Sequence, residues 1–321
     1  MTFELVKDEI LKVCEEGKKV VGDPVRIYED LEDLKVVLVD YTRNPYKAMV
    51  DMALMTWGDR GKKWELISPE TRFYVVKEVL ERRALPLALE APKFSFYIGG
   101  VTRACFDQIA RARIGVVFAA RGFKDNDLSN VSFIVPHRLE NEDKQRLIDM
   151  YEKVANLYRE LRMKYPGWTC RYIMPMGTRY NFFMSINYKA LQQLCASRMQ
   201  TTEQIDTVAL AWYLREKVKN KFPLLAEYLR PACDWSKRDT TVAVNGFASI
   251  LGLPHNSDGR IGGVKTKSEL RKKYKVHWDE PCTDIKYIEA KLGIKIPGPD
   301  DWIDYTWETL DDRDKMLFEE G

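Results

Sequence analysis

The residues best suited to chemistry lie in the stretch Phe96–Arg121, FYIGGVTRACFDQIARARIGVVFAAR. Its apolar residues recur at a spacing close to i, i+4: Val101, Cys105, Ile109 (or Gln108) and Ala112. This spacing predicts a helix over about residues 101–117 with one buried stripe. Three guanidiniums stand on the same predicted helix: Arg103, Arg111 and Arg113. A half-buried charge is costly unless it is paired, so these arginines indicate an anionic ligand.

A structural alternative remains open for the same arginines. They can pair with acidic side chains elsewhere in the fold, or extend along their alkyl stems to water.

Histidine and cysteine usage argues against two other kinds of site. The three histidines are His137, His255 and His277, and none stands near another histidine or a cysteine. A histidine-based zinc site is therefore not expected, and we predict no metal. The six cysteines are far apart and contain no CxxC pair, which is typical of free thiols in a reducing cytoplasm.

Composition and charge limit the partners. A net charge of +3 over 321 residues is nearly balanced, so a nucleic-acid partner is not expected and any basic site must be local. No apolar run approaches the ~18 residues needed to span a membrane. The first residues, MTFELVKDEILKVCEEGKK, mix both charges and do not resemble a secretory signal. We therefore expect a cytoplasmic protein with no membrane partner.

The elements around this stretch predict a mixed α/β fold. Strands are predicted at residues 35–41, 94–98, 128–136 and 171–175, the first of them well buried because it is nearly all β-branched. Helices are predicted at residues 1–20, 45–56, 69–83, 140–164, 187–198 and 201–221. No glycine-rich dinucleotide fingerprint follows a strand, so a Rossmann site is not indicated.

The character of the chain changes near residue 233, which predicts a domain over residues 1–232 and a C-terminal extension over residues 233–321. The extension starts loop-rich and basic and ends acidic and aromatic, as DDWIDYTWETLDDRDKMLFEEG. Its segment KSELRKKYK fits either a solvated helix face or a phosphate-binding patch. We expect the extension to fold against the domain because of its tryptophans: Trp235, Trp278, Trp302 and Trp307.

Several blocks resemble flavin-dependent thymidylate synthases in the same order and with similar spacing, over about residues 35–225. FSFYIGGVTRACFDQIARAR resembles the family's FTFxIxxVSRAxxxQLxRHR, and Leu89-Glu90-Ala91 stands where the family has Leu-Glu-His. RYIMP at residues 171–175 is similar to ARxxLP, and NYKALQQLCASR at residues 187–198 to NxRxLxxFLxLR. Gln204-Ile205-Asp206 follows where the family has Gln-x-Glu.

The resemblance implies an α/β enzyme that assembles as a homotetramer with active sites shared between subunits. FAD would carry electrons from NADPH, and methylenetetrahydrofolate would supply a one-carbon unit to C5 of a pyrimidine nucleoside monophosphate, with dUMP as the default acceptor and dTMP as the product. No protein nucleophile is implied, because the flavin starts the chemistry and the protein orients the ligands and neutralises phosphate charge.

The resemblance also implies roles for individual residues. Residues matched to nucleotide contacts are Gln108, Arg171 and Arg198, of which Arg198 is the catalytic candidate because it would stabilise charge on the pyrimidine ring. Residues matched to flavin contacts are Glu90, Arg111, Arg113, Asn187, Lys189 (in place of an arginine) and Gln193. For each charged residue a structural ion pair remains the alternative.

The chain departs from the family at its signature RHRxxSxNxxSxR, which reads RARIGVVFAARGF at residues 111–123. Ala112 replaces the histidine, Val116 and Arg121 replace the serines, and Phe123 replaces the last arginine unless a one-residue insertion puts Lys124 there. Arg121 and Lys124 are then the cations available for the nucleotide phosphate.

Three hypotheses follow from these departures. The chain carries out the family reaction on dUMP, or it keeps the cofactors but changes the acceptor (dCMP or a ribonucleotide) or leaves a hydroxymethyl product. In the third hypothesis it is a non-catalytic homologue that binds nucleotide or another protein. Retention of the matched glutamine and arginines on apolar elements argues against the third.

Overall fold

The computed structural model describes residues 25–55, 64–82, 85–124, 126–200, 203–232, 283–298 and 300–320. Its strands are β1 (Ile27–Glu29), β2 (Lys35–Tyr41), β3 (Lys93–Thr102), β4 (Val116–Ala120), β5 (Phe133–Val135) and β6 (Arg179–Asn187). Its α-helices are α1 (Pro45–Met55), α2 (Pro69–Leu80), α3 (Arg103–Ile109), α4 (Asn141–Arg162), α5 (Gly167–Cys170), α6 (Tyr188–Arg198), α7 (Ile205–Lys219), α8 (Pro223–Glu227), α9 (Ile285–Leu292) and α10 (Asp312–Glu319). Short 3-10 turns span Trp64–Leu66, Pro86–Glu90 and Arg171–Ile173. The predicted mixed α/β class is confirmed.

The described residues form two compact units. The first unit comprises the described residues up to Asp30 together with Arg121–Arg179. The second comprises Leu31–Ala120 and the described residues from Tyr180 onwards. The domain boundary predicted at residue 232 stays a prediction. In the part of the chain that the structure describes, no helix combines the length and apolar character needed to cross a membrane.

The first unit is built on a two-stranded parallel sheet and one long helix. β1 pairs with β5, and α4 packs against β5. The ring of Phe133 on β5 stacks on Tyr151 of α4, with 4.6 Å between ring centroids. Two turns further along α4, the Tyr158 hydroxyl accepts a hydrogen bond from the backbone N–H of Leu128 at 3.2 Å. These contacts close a small apolar core of their own.

The second unit is built on a four-stranded sheet in the order β2-β3-β6-β4. Its inner face is apolar and buried, because alternate residues of β3 and β6 point inwards. The buried residues of these two strands include Phe94, Phe96, Ile98, Phe182, Met184 and Ile186. The other face, which we call the outer sheet face, carries apolar residues that are partly exposed: Val37, Tyr97, Val117 and Phe183.

Helix α7 packs beneath the inner face and is buried along nearly its whole length. Its Arg215 is buried as well, and its guanidinium pairs with Glu227 of α8 at 3.0 Å. The indole of Trp302 lies over that guanidinium and stacks on Trp212 of α7. The described part of the C-terminal extension therefore contributes to the core around α7.

Helix α10 fills a second part of this core. Phe318 is fully buried and stacks on Tyr46 of α1, with 4.5 Å between ring centroids. The indole N–H of Trp64 donates to the carbonyl of Glu320 at 2.9 Å, and Arg72 of α2 donates to the carbonyl of Phe318 at 2.6 Å. These two hydrogen bonds hold the end of α10 against α2 and the 3-10 turn at Trp64–Leu66, and the ring stack holds it against α1.

Several sequence-based expectations need correction. The predicted helix over 101–117 ends at Ile109, and the chain continues through a turn into β4. β2 has the predicted bounds but lies at the sheet edge, with Val39 55% exposed, so it is not well buried. The predicted strand at 171–175 is a 3-10 turn, and β6 was not predicted. The predicted helix over 1–20 and the segment KSELRKKYK lie outside the described residues.

Candidate functional site

The start of helix α3 is fixed by one buried carboxylate. Both the backbone N–H and the hydroxyl of Thr102 donate to Oδ2 of Asp206, at 3.0 and 2.6 Å. The Thr102 hydroxyl also accepts from the N–H of Cys105 and so caps the helix. Because Asp206 is the second residue of α7, this network ties α3 to α7 and fixes where Gln108 lies.

Cys105 is not suited to be a nucleophile. Its side chain is fully buried, and this burial, together with the nearby charge of Asp206, raises the pKa of the thiol well above its ordinary value. A thiol that stays protonated is unreactive.

The turn after α3 carries Arg111 and Arg113. Its start is fixed by a hydrogen bond from the N–H of Ala112 to the carbonyl of Ile109 at 3.1 Å. Its end is fixed by Gly115, which has a φ of 74° and whose carbonyl accepts from the N–H of Asn187 at 2.8 Å. A Cβ at Gly115 would lie 2.4 Å from the Asn187 side chain, so glycine is required here.

Helix α6 supplies the facing wall. Asn187 caps its first turn by accepting from the N–H of Ala190 at 2.8 Å. Gln193, Ser197 and Arg198 follow at i, i+4 and i+5, and therefore share one face of the helix.

Together α3, the turn and α6 enclose a cavity of about 340 Å³, which we call the arginine cavity. It is lined by Gln108, Ile109, Arg111, Ala112, Arg113, Ile114, Ala190, Gln193, Leu194, Ser197 and Arg198. Five of the residues predicted from sequence thus meet in one place: Gln108, Arg111, Arg113, Gln193 and Arg198.

The cations of this cavity differ in their partners. Arg111 and Arg113 are exposed, and within the described parts of the chain neither guanidinium pairs with a carboxylate. The expectation that they would be half-buried on a helix is wrong, because both lie in the turn. Arg198 is only 15% exposed at its side chain and pairs with Glu203 at 3.0 Å. Arg103 lies off the cavity and pairs with Asp107.

Glu90 and Lys189, both predicted to contact flavin, form an ion pair with each other at 2.7 Å. Each side chain is more than a third exposed, so this pair contributes little to stability. Asn187 has a structural role as the cap of α6. A second cavity, also about 340 Å³, lies on the sheet and is lined by Lys93, Gly115, Val116, Val117, Ser185, Ile186 and Asn187.

The remaining predicted cations belong to the first unit. Arg121 is exposed and donates to the carbonyl of Asp127 at 2.9 Å. Lys124 is exposed, and Arg171 is half-buried in the 3-10 turn that follows α5. The predicted nucleotide-binding set is therefore divided between the two units.

Sequence reasoning missed Ser197 and Glu203. The i, i+4 spacing from Gln193 to Ser197 on a predicted helix was a usable signal for the first. Glu203 carries no such signal, because its pairing with Arg198 depends on how the chain turns between α6 and α7.

Comparison with known proteins identifies a matching family model and related sequences. A family model described as Thymidylate synthase complementing protein matches residues 37–224. The flavin-dependent thymidylate synthase of Sulfurisphaera tokodaii is 25% identical over 206 residues, covering 62% of this chain and 79% of the relative. That of Pyrococcus abyssi is 25% identical over 220 residues, covering 64% and 84%.

Among solved structures, the UMP/dUMP methylase PolB from Streptomyces cacaoi bound with 5-Br dUMP is similar in fold. Its TM-score is 0.53 at 16% sequence identity, and the match covers 64% of this chain and 96% of that one. The similarity extends over nearly all of the solved chain and bears on the fold.

Proposed function

The chain belongs to the family of thymidylate synthase complementing proteins, and we propose that it transfers a one-carbon unit to C5 of a pyrimidine nucleotide with FAD as its cofactor. The observation that carries this proposal is the arginine cavity, where two guanidiniums without an acidic partner among the described residues meet Gln108 and Arg198. The names of the relatives, flavin-dependent thymidylate synthases, support the choice of cofactor.

The cavity fits part of a flavin. Its volume is at the lower end of small-molecule sites, ~300–1,000 Å³, so it suits one ring system rather than a whole dinucleotide. Arg111 and Arg113 stand exposed at the same site and can donate paired hydrogen bonds to a diphosphate. The cavity volume therefore suits a ring system, and the exposed guanidiniums of Arg111 and Arg113 suit the phosphate groups.

In this proposal the chain's own residues bind and orient the cofactor and the pyrimidine nucleotide. Arg111 and Arg113 hold the cofactor's phosphate groups, with Gln193 on the facing wall, and Gln108 hydrogen-bonds the pyrimidine. Arg198 donates to the ring where negative charge develops. Arg121, Lys124 and Arg171, which belong to the first unit, stay sequence-based predictions for the nucleotide phosphate.

The reaction needs a carbon donor and a reductant, for which we propose methylenetetrahydrofolate and NADPH. The methylene carbon would form a bond to C5 while its bonds to the folate nitrogens break, so that tetrahydrofolate leaves and the C5 proton is lost. A hydride that originates from NADPH would then complete the methyl group, leaving NADP+. The flavin, when bound, carries the electrons of that hydride. The two thiols on the described helices that flank the cavity, Cys105 and Cys195, are both buried, and burial raises the pKa of each, so neither is suited to act as a nucleophile.

A changed acceptor is the second candidate function. Ala112 stands where the family signature has histidine, and it lines the arginine cavity. The volume that an imidazole ring would fill at this position is therefore open. The solved neighbour is described as a UMP/dUMP methylase, so a fold of this kind accommodates either sugar. We propose dUMP as the default acceptor, with UMP and dCMP as the alternatives to be tested.

We also propose that the chain assembles as a homotetramer, with the outer sheet face as one subunit contact. Val117 is 70% exposed on this face, next to Phe183 and near Tyr97 and Val37 across the sheet. A contiguous apolar face of this kind is typical of an interface. Light scattering coupled to size exclusion tests it: Val117→Lys should reduce the mass, and an unchanged mass would exclude this face.

The decisive experiment is an absorbance spectrum of the purified protein, followed by anaerobic titration with dUMP, UMP and dCMP. A bound flavin whose spectrum responds to one nucleotide identifies both the cofactor and the acceptor. A colourless protein that does not take up added FAD would overturn the proposal.

A pair of variants tests the residues. Arg111→Ala should weaken FAD binding about tenfold or more, since a charge-assisted hydrogen bond contributes ~1.5–3 kcal/mol. Arg103→Ala is the matched control, because Arg103 stands on the same segment but pairs with Asp107 away from the cavity. Equal loss of FAD binding in both variants would exclude a specific role for Arg111.

A further inference from the structure

Arg198 is held on two edges of its guanidinium. One nitrogen pairs with Oε2 of Glu203 at 3.0 Å, and the other donates to the backbone carbonyl of Gln108 at 3.1 Å. A guanidinium is planar and has five N–H donors, so two fixed edges determine where the others point. Since Arg198 lines the arginine cavity, its orientation there depends on Glu203.

Glu203 is in turn held by the C-terminal extension. The hydroxyl of Thr283 donates to the backbone carbonyl of Glu203 at 2.6 Å. Thr283 is only 1% exposed, so water does not compete well for this hydrogen bond.

The position of Thr283 is itself fixed. The next residue, Asp284, caps α9 by accepting from the N–H of Tyr287 at 3.1 Å. Helix α9 packs against α7 through the fully buried Ile288. The hydroxyl of Thr283 is therefore anchored by a helix cap and a buried side chain.

We propose that the C-terminal extension is part of the nucleotide site, with Thr283 and Glu203 as positioning residues that orient Arg198. The inference rests on the proposed function, and it assigns the extension a role in that site. The three contacts form one continuous path from the extension through Glu203 to the wall of the arginine cavity.

The same contacts give the arginines of the cavity different charge environments. Glu203 balances the charge of Arg198, whereas Arg111 and Arg113 have no acidic partner among the described residues. A balanced guanidinium remains a good hydrogen-bond donor but attracts a phosphate less strongly. Arg198 therefore suits the pyrimidine ring, and Arg111 and Arg113 suit the phosphate groups of the cofactor.

The test compares Thr283→Val, which removes the hydroxyl at similar volume, with Thr283→Ser, which keeps it. Thr309→Val is the control, because Thr309 is an exposed threonine of the same extension. In FAD-loaded protein, the nucleotide dissociation constant is read from the change in the flavin spectrum, and FAD affinity is measured separately. Melting temperature is recorded for all variants.

Thr283→Val should weaken nucleotide binding about fivefold and leave FAD affinity unchanged, as expected for one lost hydrogen bond. Thr283→Ser should restore wild-type binding, and Glu203→Gln should weaken it as well. Unchanged nucleotide affinity in Thr283→Val would overturn the proposal. So would an equal loss of FAD and nucleotide affinity together with a lower melting temperature, because that pattern indicates only a structural contact.

A measurement without ligands separates this proposal from the proposed function. Crystal structures of the wild type and Thr283→Val should show the Arg198 guanidinium displaced from the carbonyl of Gln108 in the variant. If the wild type binds no FAD, the proposed function fails, and the crystal structures still decide whether Thr283 orients Arg198. An unmoved guanidinium would refute the positioning role.

Discussion

Asp314 on α10 makes the stability of the second unit depend on pH. Its carboxyl is fully buried; it accepts from the backbone N–H of Leu224 at 2.6 Å and from the hydroxyl of Tyr46. Burial raises the pKa of this carboxyl to about 7, although both of those donors and Arg313 oppose the shift. The nearby charge of Asp311 adds to the rise.

The direction in which the free energy of unfolding changes with pH follows from the raised pKa. The folded state favours the neutral carboxyl, so the stabilisation is fully present below about pH 4 and is lost as pH rises through about 7. In this window one group changes the free energy of unfolding by about 1.4 kcal/mol per pH unit. Between pH 5 and pH 8 the expected loss is roughly 2–3 kcal/mol, a large part of the stability of a typical domain.

The substitution Asp314→Asn removes this titration while keeping the shape. The amide oxygen can accept from the N–H of Leu224, and the amide nitrogen can donate to the oxygen of Tyr46. We therefore expect the free energy of unfolding of the variant to be no higher than that of the wild type at pH 5. Between pH 5 and pH 8 it should rise relative to the wild type by roughly 2–3 kcal/mol.

The assay is urea unfolding of the full chain at intervals between pH 5 and pH 8, followed by tryptophan fluorescence. Trp64 and Trp307 lie beside Phe318 of α10, so their emission reports on this region. Asp312→Asn, at an exposed position of the same helix, is the matched control for the loss of one carboxylate. Parallel curves for the wild type and Asp314→Asn would refute a neutral carboxyl in the fold.

Three further perturbations have defined outcomes. Phe318→Ala should lower the free energy of unfolding by about 3–5 kcal/mol, because a fully buried aromatic ring leaves a cavity; urea unfolding measures it. Thr102→Val should cost about 2–3 kcal/mol in the same assay, since Asp206 loses a buried donor, and Asp206→Asn should restore part of the loss. Gly115→Ala should weaken FAD binding with little change in helix content by circular dichroism, because a Cβ there collides with Asn187.

Local signals in the sequence predicted several elements well. The predicted helix start at residue 69 agrees with α2, whose first turn is capped by the Ser68 side chain as it accepts from the N–H of Thr71. The bounds of β2 were also predicted correctly. The burial of β2 was predicted wrongly, because an apolar run has the same sequence pattern on a central strand as on an edge strand with an exposed face.

The helix over 101–117 was overextended because the apolar spacing was followed past a break. Gly115 needs a positive φ, and Val116 and Val117 favour a strand, so the chain turns after Ile109. The strand β6 was missed although Tyr180, Phe182, Met184 and Ile186 alternate with more polar residues, which is a period-two signal.

The roles predicted for the residues of the arginine cavity stay predictions, but local spacing explains why several of these residues lie together. Gln108 and Arg111 are one turn apart, and Gln193 and Arg198 share a helix face. The contacts of Glu203 with Arg198 and of Thr283 with Glu203 could not be predicted. The second joins residues 80 positions apart, and only the folded chain brings them together.

The C-terminal extension completes the core, although the family match ends at residue 224. Phe318 fills the space between Tyr46, Trp64 and Phe73, so without it these aromatic side chains would face an empty cavity. Asp314 caps the start of α8 through the N–H of Leu224, and Thr283 holds Glu203 beside the arginine cavity. A boundary drawn by sequence similarity therefore does not mark a boundary of folding, and an element outside the family match supports a residue inside it.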